Sequence, residues 1–533
     1  MKKILTLLSS ITLVSASTAS VVACGNGNKN TDIVIQANPA SLDVYQKAAA
    51  AVNAKFEEAG VKFRAKIKES HMYENYVQIS NKGVRDKSIP DVFIVDAFKY
   101  QLYKDQNNIL NVSDLVKKYL LQTSDDEEHF GLKKTDSGIE ITQGVPSARA
   151  WKAARINSGA EEYFGVVPSA IETISMMFDN NKFGITDDGH FTGSVLENEA
   201  VKAAVGENPI ASLENMAIIN EAMGYKPTGY LKALKGYFVA AAFNAMVKKH
   251  DADINPVEGS AKATIWQKTG EFPSQNYKDF DSLWENEKTK DDAKLVMDMM
   301  VRLGYSFGKP MRNALYNQVG DEAIDNATVA SLRDGTTSMA ALEIFNLQSY
   351  ASFMKQADPK ADIRVKDISS LKFDNSEGSP SLSSSAGGHG FAIKSTIANV
   401  SEKTKDGENL TKAGAAMLAI KELSDPKYSA DFSITDGKYS PFKANKEAAV
   451  EQFNKTEGYG FYADAANEIA KGYEGVTDMP NTALDQASGT TWDTYRLAMN
   501  TSKNDTEWKA MADQFWTQFT DKWAKDKAEF IWG

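Results

Sequence analysis

The sequence predicts an α/β chain in which strands alternate with helices around a largely parallel sheet. Three observations carry this: the strand-type runs Ile33–Gln36, Val61–Ile67 and Pro90–Asp96, the helical spacing of the segments between them, and a glycine closing the first helix. In order, Ile33–Gln36 is a short β-type run. Asp43–Gly60 places Val44, Ala48, Val52 and Phe56 at four-residue steps, one face of a helix, and ends on Gly60, a helix stop. Val61, Phe63, Ala65 and Ile67 alternate with polar residues, the period of a strand. A polar helix over Glu74–Gly83 leads to Pro90–Asp96, whose unbroken apolar centre suits a strand buried on both faces. Ligands of such sheets lie beyond the carboxyl ends of the strands, so Asp96, at one such end, is a candidate cleft residue or a cap.

Farther along, Ser212–Met223, Leu231–Lys249 and Asp291–Leu303 have apolar residues at helical spacing, and the next strong strand begins at Ser338. The glycine- and serine-rich stretch Gly378–Gly390 reads as a loop leading to the strand Phe391–Ala392–Ile393, and the acidic run Asp125–Glu128 as a solvated loop. There are no internal repeats. The 533 residues are 42% hydrophobic and 25% charged, a globular composition long enough for two or more lobes.

The start of the chain is a secretory leader: Lys2 and Lys3, a short apolar core from Ile4 to Val14, then small residues to Ala23. That core is too short for a membrane span. Val21–Val22–Ala23–Cys24 resembles the lipobox of bacterial lipoproteins, which implies that the chain's single cysteine, Cys24, becomes the acylated first residue of the mature protein, with Gly25–Asn30 as a flexible tether. Two acyl chains hold a protein at a membrane where one does so marginally. Loss of Lys2 and Lys3 takes the formal charge from −11 to −13, and an acidic body without a basic cluster argues against nucleic acid as a partner.

Enzyme chemistry has little support. The histidines His71, His129, His190, His250 and His389 are scattered, no metal-ligand spacing links them, and neither G-x-S-x-G nor a phosphate-binding glycine loop is present. Asp251, Asp253 and Asn255 start like a calcium loop, but Pro256 and Lys262 stand where glycine and glutamate are needed. No cofactor or metal site is expected. Gly387–Gly388–His389–Gly390 reads as a simple turn.

Four separated signatures, Pro90–Asp96, Phe164–Asn180, Gly387–Pro441 and Met479–Arg496, stand in an order that resembles the extracellular solute-binding proteins of ABC importers, of the maltose and oligosaccharide type. The resemblance spans about residues 31–530 and is poorest over 185–335. It implies a two-lobed periplasmic-binding-protein-like fold, each lobe a mostly parallel sheet flanked by helices with the ligand cleft between lobes. Residues 1–23 would then be the leader and 24–30 the tether. Lobe 1 would comprise 31–170 with 386–456, and lobe 2 would comprise 171–385 with 457–533. It further implies an anchor on the outer face of the cell membrane, a carbohydrate or other small-molecule ligand, and permease subunits as partners.

Within that frame Glu172, alone in the apolar strand of the first crossing, is either a cleft carboxylate or a hinge glutamate, paired with a lysine or simply exposed. Trp492 and Arg496, four apart, share a helix face, and the family's pattern makes Trp492, Tyr495 and Arg496 a sugar-contacting segment. Trp516 and Trp523 read as core. Over Ser338–Phe345 the chain departs from the family pattern: Glu343 and Phe345 replace a glycine and a tryptophan, leaving Phe345 as an aromatic platform or a core ring. A surface adhesin or structural lipoprotein on the same fold, or a peptide- or polyamine-binding protein, are the alternatives.

Overall fold

A computed structural model describes residues 31–533 apart from 159–160, 207–209, 227–228, 232–240, 243–244, 247–248, 250–265, 268–286, 288–289, 307–327, 344–345, 384–386, 476–478, 481–503 and 530–533. Cys24 with the leader and tether, the pseudo-calcium stretch from Asp251, Phe345, Trp492, Tyr495 and Arg496 lie outside the described residues, as does most of the Leu231–Lys249 segment.

The first sheet begins with the alternation read from sequence. Strand β1 (Asp32–Ala37) pairs in parallel with β2 (Arg64–Glu69), in a register running from Asp32 opposite Arg64 to Ala37 opposite Glu69, and with β3 (Val92–Asp96) on its other side. Helix α1 (Leu42–Glu58) links β1 to β2 and buries Val44, Tyr45, Ala48, Val52 and Phe56. Full burial of a valine or phenylalanine side chain contributes about 1.5–3 kcal/mol, so this stripe fixes the helix on the sheet. Helix α2 (Met72–Lys82) leads toward β3.

Beyond β3 the chain reaches β4 (Val167–Glu172) and then, after Thr173 alone, β5 (Ile174–Asp179). These two strands lie in different sheets. Strand β4 is the edge of the first, whose order is β2-β1-β3-β9-β4, where β9 is Gly387–Ile393; β5 belongs to the second, whose order is β6-β7-β5-β8 (Tyr230–Leu231, Met339–Glu343, Ile174–Asp179, Ile363–Asp367). One residue therefore carries the chain from one lobe to the other.

The sheets are more mixed than the sequence suggested. Strand β9 runs antiparallel to both β3 and β4, and β5 runs antiparallel to both β7 and β8, leaving the β6/β7 pair as the parallel part of the second sheet. The cause is topological: β4, β5 and β9 flank the crossings, and each enters or leaves its sheet against the direction of the strands it joins.

Each lobe has its own core. In the first, Ile33, Ile35, Phe93 and Val95 of the sheet meet Val52 and Phe56 of α1. In the second, Met176, Phe178, Met339 and Ala341 meet residues of α3 (Leu213–Ala222), α4 (Lys290–Ser306) and α5, the C-terminal helix Asp505–Glu529. Trp516 packs partly buried against this core, as expected; the side chain of Trp523 is outside the described residues. A third cluster, including Ile171, Met177, Tyr439, Phe453 and Tyr462, lies along the seam.

Two loop readings are corrected. Ser124–Phe130 is a helix: the Thr123 hydroxyl accepts from the Asp126 N–H, the Asp126 carboxylate accepts from the Thr123 N–H, and acids in the first turn suit the positive helix end. Strand β9 starts at Gly387, four residues earlier than the apolar residues indicate, because pairing on both sides replaces the missing side chains.

A carboxylate–histidine cluster at the lobe crossing

The register of β9 assembles the candidate site. His389 lies opposite Asp96 on β3, and Gly387, two residues earlier and so on the same face, lies opposite Glu172 on β4. A bulge between His389 and Gly390 absorbs one extra residue of β4. Three side chains from three strands thus share one face at the carboxyl ends of β3 and β4, where the chain passes between lobes.

Glycine is required around the histidine. A Cβ on Gly388, whose φ is +151°, would fall 2.4 Å from the Ala170 carbonyl oxygen; one on Gly390 would fall 2.7 Å from the Tyr100 hydroxyl. The run that reads as a turn is a strand stripped of side chains so that β3, β4 and Tyr100 can close around one imidazole.

His389 Nε2 lies 3.0 Å from Asp96 Oδ1, and Nδ1 lies 3.4 Å from Glu172 Oε1. The histidine and Asp96 side chains are 13% and 7% exposed and Glu172 is 37% exposed, so the cluster grades from buried to accessible within one residue pair. Burial alone would depress the imidazole pKa, but the charge of Glu172 and the hydrogen bond and charge of Asp96 outweigh it, and the group titrates above its ordinary value. Burial raises the pKa of the Tyr100 hydroxyl well above the usual phenol value, assisted by Tyr473, Asp96 and Glu172, so it stays protonated. The Asp96 N–H donates to the Tyr76 hydroxyl over 2.8 Å, which ties the end of β3 to α2.

Two polar atoms here retain bonding capacity. Asp96 Oδ2 and His389 Nδ1 are buried and make no hydrogen bond, the 3.4 Å approach of Nδ1 to Glu172 being an ion pair outside hydrogen-bond geometry. Buried polar groups are otherwise satisfied in more than nine cases in ten, roughly. A hydroxyl group, which both donates and accepts, is the chemical group suited to them. Among the described residues no group of three or more His, Cys, Asp or Glu is placed to hold a metal ion.

Of the residues chosen from sequence, the structure brings Asp96 and Glu172 into one cluster. Glu172 lies within ion-pair range of His389, and its charge also favours the charged form of Lys438. His389 was missed, and the signal that could have found it is the glycines flanking it, which reserve space for a neighbour.

The helix Gly460–Gly475 packs on β8 of the second lobe. Its Asp464 Oδ2 lies 2.7 Å from Arg364 Nε, its Glu468 accepts from the Asp367 N–H, and its Gly472 leaves the space that Asp367 fills, since a Cβ there would lie 1.9 Å from Asp367 Oδ2.

The chain folds as two lobes with carboxylates gathered where they join. Solved structures of the same architecture cover nearly the whole chain. A cyclo/maltodextrin-binding protein complexed with maltotetraose matches with a TM-score of 0.55 at 10% identity, over 94% of this chain and 98% of that one. The maltose-binding periplasmic protein MalE from Listeria monocytogenes, in complex with maltose, matches at 0.54 and 12% identity over 94% and 99%. MalX from Streptococcus pneumoniae, in complex with maltopentaose, matches at 0.52 and 13% identity over 92% and 99%. No family model matches the sequence, and no curated protein does. The chain has the fold of these maltose- and maltodextrin-binding proteins, and these neighbours are binding proteins rather than enzymes. No helix among the described residues is long and apolar enough to cross a membrane.

Proposed function

We propose that this protein is the substrate-capturing lipoprotein of an ABC importer, closing two lobes on a sugar or oligosaccharide and presenting it to a membrane permease. It binds without catalysing a reaction. The observation that carries the reading is the hydrogen-bonding capacity left on Asp96 and His389 beside the half-exposed Glu172, at the crossing of a fold whose solved examples hold maltose, maltotetraose and maltopentaose.

The two bodies that move are those read from the sequence, 31–170 with 386–456 and 171–385 with 457–533, save that Ile171 and Glu172 go with the first sheet and the junction is Thr173. Asp96 and Glu172 accept sugar hydroxyls; Trp492, Tyr495 and Arg496, with Phe345, supply the stacking rings and the donor from the remaining walls of the cleft. Acylated Cys24 keeps the body at the outer face of the cell membrane, tethered by Gly25–Asn30. A ligand stabilises the closed form only by as much as it binds that form better than the open one, so side chains that meet it from both lobes are the ones that matter.

The test is a thermal-shift panel of mono- and oligosaccharides, peptides and polyamines, followed by solution scattering with the best binder. A sugar should raise the melting temperature and reduce the radius of gyration. Stabilisation by peptides alone, or an unchanged scattering profile at saturation, would sink the reading.

A further inference from the structure

The bulge that sets the register of the crossing strand also aims a side chain. Ala170 lies opposite His389 and Pro168 opposite Gly390, so Ser169 is the extra residue of β4. A bulge re-aims the side chain it carries. Ser169 lines a small cavity of about 30 Å³ together with Tyr45 of α1, Lys438, and Asn445 of the helix Lys443–Lys455. We infer that this cavity holds a water molecule bridging Tyr45, Ser169 and Asn445, and that the water pins the bulge on which the placement of Glu172 beside His389 depends.

Three polar atoms point to it. Tyr45 Oη, Ser169 Oγ and Asn445 Oδ1 are buried and have no hydrogen-bond partner among the described residues. Tyr45 and Asn445 are 0% and 4% exposed. The Asn445 amide is held in one orientation, because its Nδ2 donates to the Ser424 carbonyl over 3.0 Å and to the Ser429 hydroxyl over 2.8 Å; the remaining atom is the acceptor Oδ1. The other polar residues of the lining are engaged elsewhere. The Ser424 hydroxyl donates to the Ile420 carbonyl, the Ser440 hydroxyl accepts from the Phe442 N–H, and Lys438 pairs with Asp436.

Size and chemistry select the occupant. A water needs roughly 10–15 Å³ of such space and two to four polar partners. The cavity meets both conditions and is far too small for a sugar ring. Asn445 Oδ1 only accepts and Lys438 only donates, so an anion is opposed by the first and a cation by the second. Water suits both kinds of partner: it donates to Asn445 and accepts from Tyr45, whose hydroxyl keeps its proton because burial raises its pKa.

The consequence reaches the site. Side chains alternate along a strand, so a one-residue slip of β4 against β9 would carry Glu172 to the opposite face, away from His389. A water held by α1 and the helix Lys443–Lys455 ties the extra residue to two elements outside the sheet. Such a bridge is enthalpically nearly as good as a direct hydrogen bond. The bulge is held in this way whatever ligand the cleft takes.

The test uses the full chain. Crystals diffracting well enough to order waters should show a density peak about 2.5–3.0 Å from Tyr45 Oη and Asn445 Oδ1. A cavity without density overturns the inference, and so does a peak that acquires an anomalous signal when the crystals are moved into bromide, which would make the occupant an anion.

In solution, Ser169→Ala and Tyr45→Phe each remove one partner of the water, from β4 and from α1. Each should speed amide exchange across Gly387–Phe391 about fivefold, the worth of one net hydrogen bond, with β1 and β2 little changed. Ser169→Thr keeps the hydroxyl and should restore the wild-type rate. Should Ser169→Ala not fold, Tyr45→Phe carries the same measurement. Acceleration spread equally over β1, β2 and β9, or an unchanged rate in Tyr45→Phe, would show that no water pins the bulge.

Discussion

Strand β3 is bracketed by two buried aspartates, Asp91 just before it and Asp96 at its end, and they are employed in opposite ways. Asp91 is saturated. Its Oδ2 accepts from the Val34 N–H over 3.0 Å and pairs with Lys412 Nζ at 3.0 Å, while Oδ1 lies 3.4 Å from Lys394 Nζ. Asp96 has one oxygen engaged by His389 and the other without a hydrogen bond. Both are about equally buried, at 4% and 5% exposure, so burial does not distinguish them. What does is satisfaction: the carboxylate that closes the amino end of the strand has every bond it needs, and the one at the carboxyl end retains an acceptor. One carboxylate is completed by its own chain; the other keeps an oxygen without a hydrogen bond.

The largest test of that contrast is Asp91→Asn. It strands the ammonium groups of Lys394 and Lys412, both mostly buried, and breaking a buried pair in this way costs about 3–5 kcal/mol. Denaturant titration should show that loss, with ligand affinity unchanged in the folded fraction. A loss below about 1 kcal/mol, typical of surface pairs, would show that Asp91 is not the anchor described.

Asp96→Asn should act the other way round. The amide can still accept from His389, so the fold loses about 1 kcal/mol or less, in the range of a single net hydrogen bond, whereas binding loses about 1.5–3 kcal/mol, the worth of a hydrogen bond to a charged group. Calorimetry on the variant separates the two. Stability loss without affinity loss would make Asp96 a second Asp91.

The pH dependence sharpens the contrast further. A group whose native pKa is raised lends stability in full below its unfolded value, and that contribution fades as pH rises through the native value. For His389 the stabilising share is therefore present in mildly acidic solution and lost on the alkaline side. The stability gap between wild type and Asp96→Asn should shrink as pH rises through that window, while the gap for Asp91→Asn, which has no titrating partner there, should hold constant.

Gly387→Ala is the smallest perturbation. Its Cβ would sit 3.2 Å from that of Glu172, a contact relieved by a few tenths of an ångström. Stability should fall by about 1 kcal/mol, the low end of overpacking costs, and the displaced Glu172 should weaken binding less than Asp96→Asn does. A larger binding loss than that of Asp96→Asn would reverse the ranking of the two carboxylates.

Much of this pair was legible in the sequence. The apolar centre of Val92–Asp96 announced a buried strand, and a lone glutamate in the apolar run to Phe178 marked Glu172. The histidine was not legible, because nothing local pairs residue 389 with residue 96; that register is set by two neighbouring strands from remote parts of the chain. Glycine misleads in the same way, since a run without side chains looks like a loop until partners are placed on both sides of it. The Thr123 cap was hidden by the acids after it, which resemble a solvated stretch and in fact favour the helix they begin.

The position of β9 also governs how the molecule comes into being. It is inserted between β3 and β4, so the first sheet has a gap until Gly387–Ile393 has been made. At a synthesis rate of about 5–20 residues per second, the roughly 200 residues separating β4 from β9 keep that gap open for about 10–40 s. During that time β3 and β4 have unfilled edges, and pairing so distant in sequence is intrinsically slow. The amino-terminal third cannot complete its sheet ahead of the rest, and the carboxylate–histidine cluster forms only when the late central strand arrives.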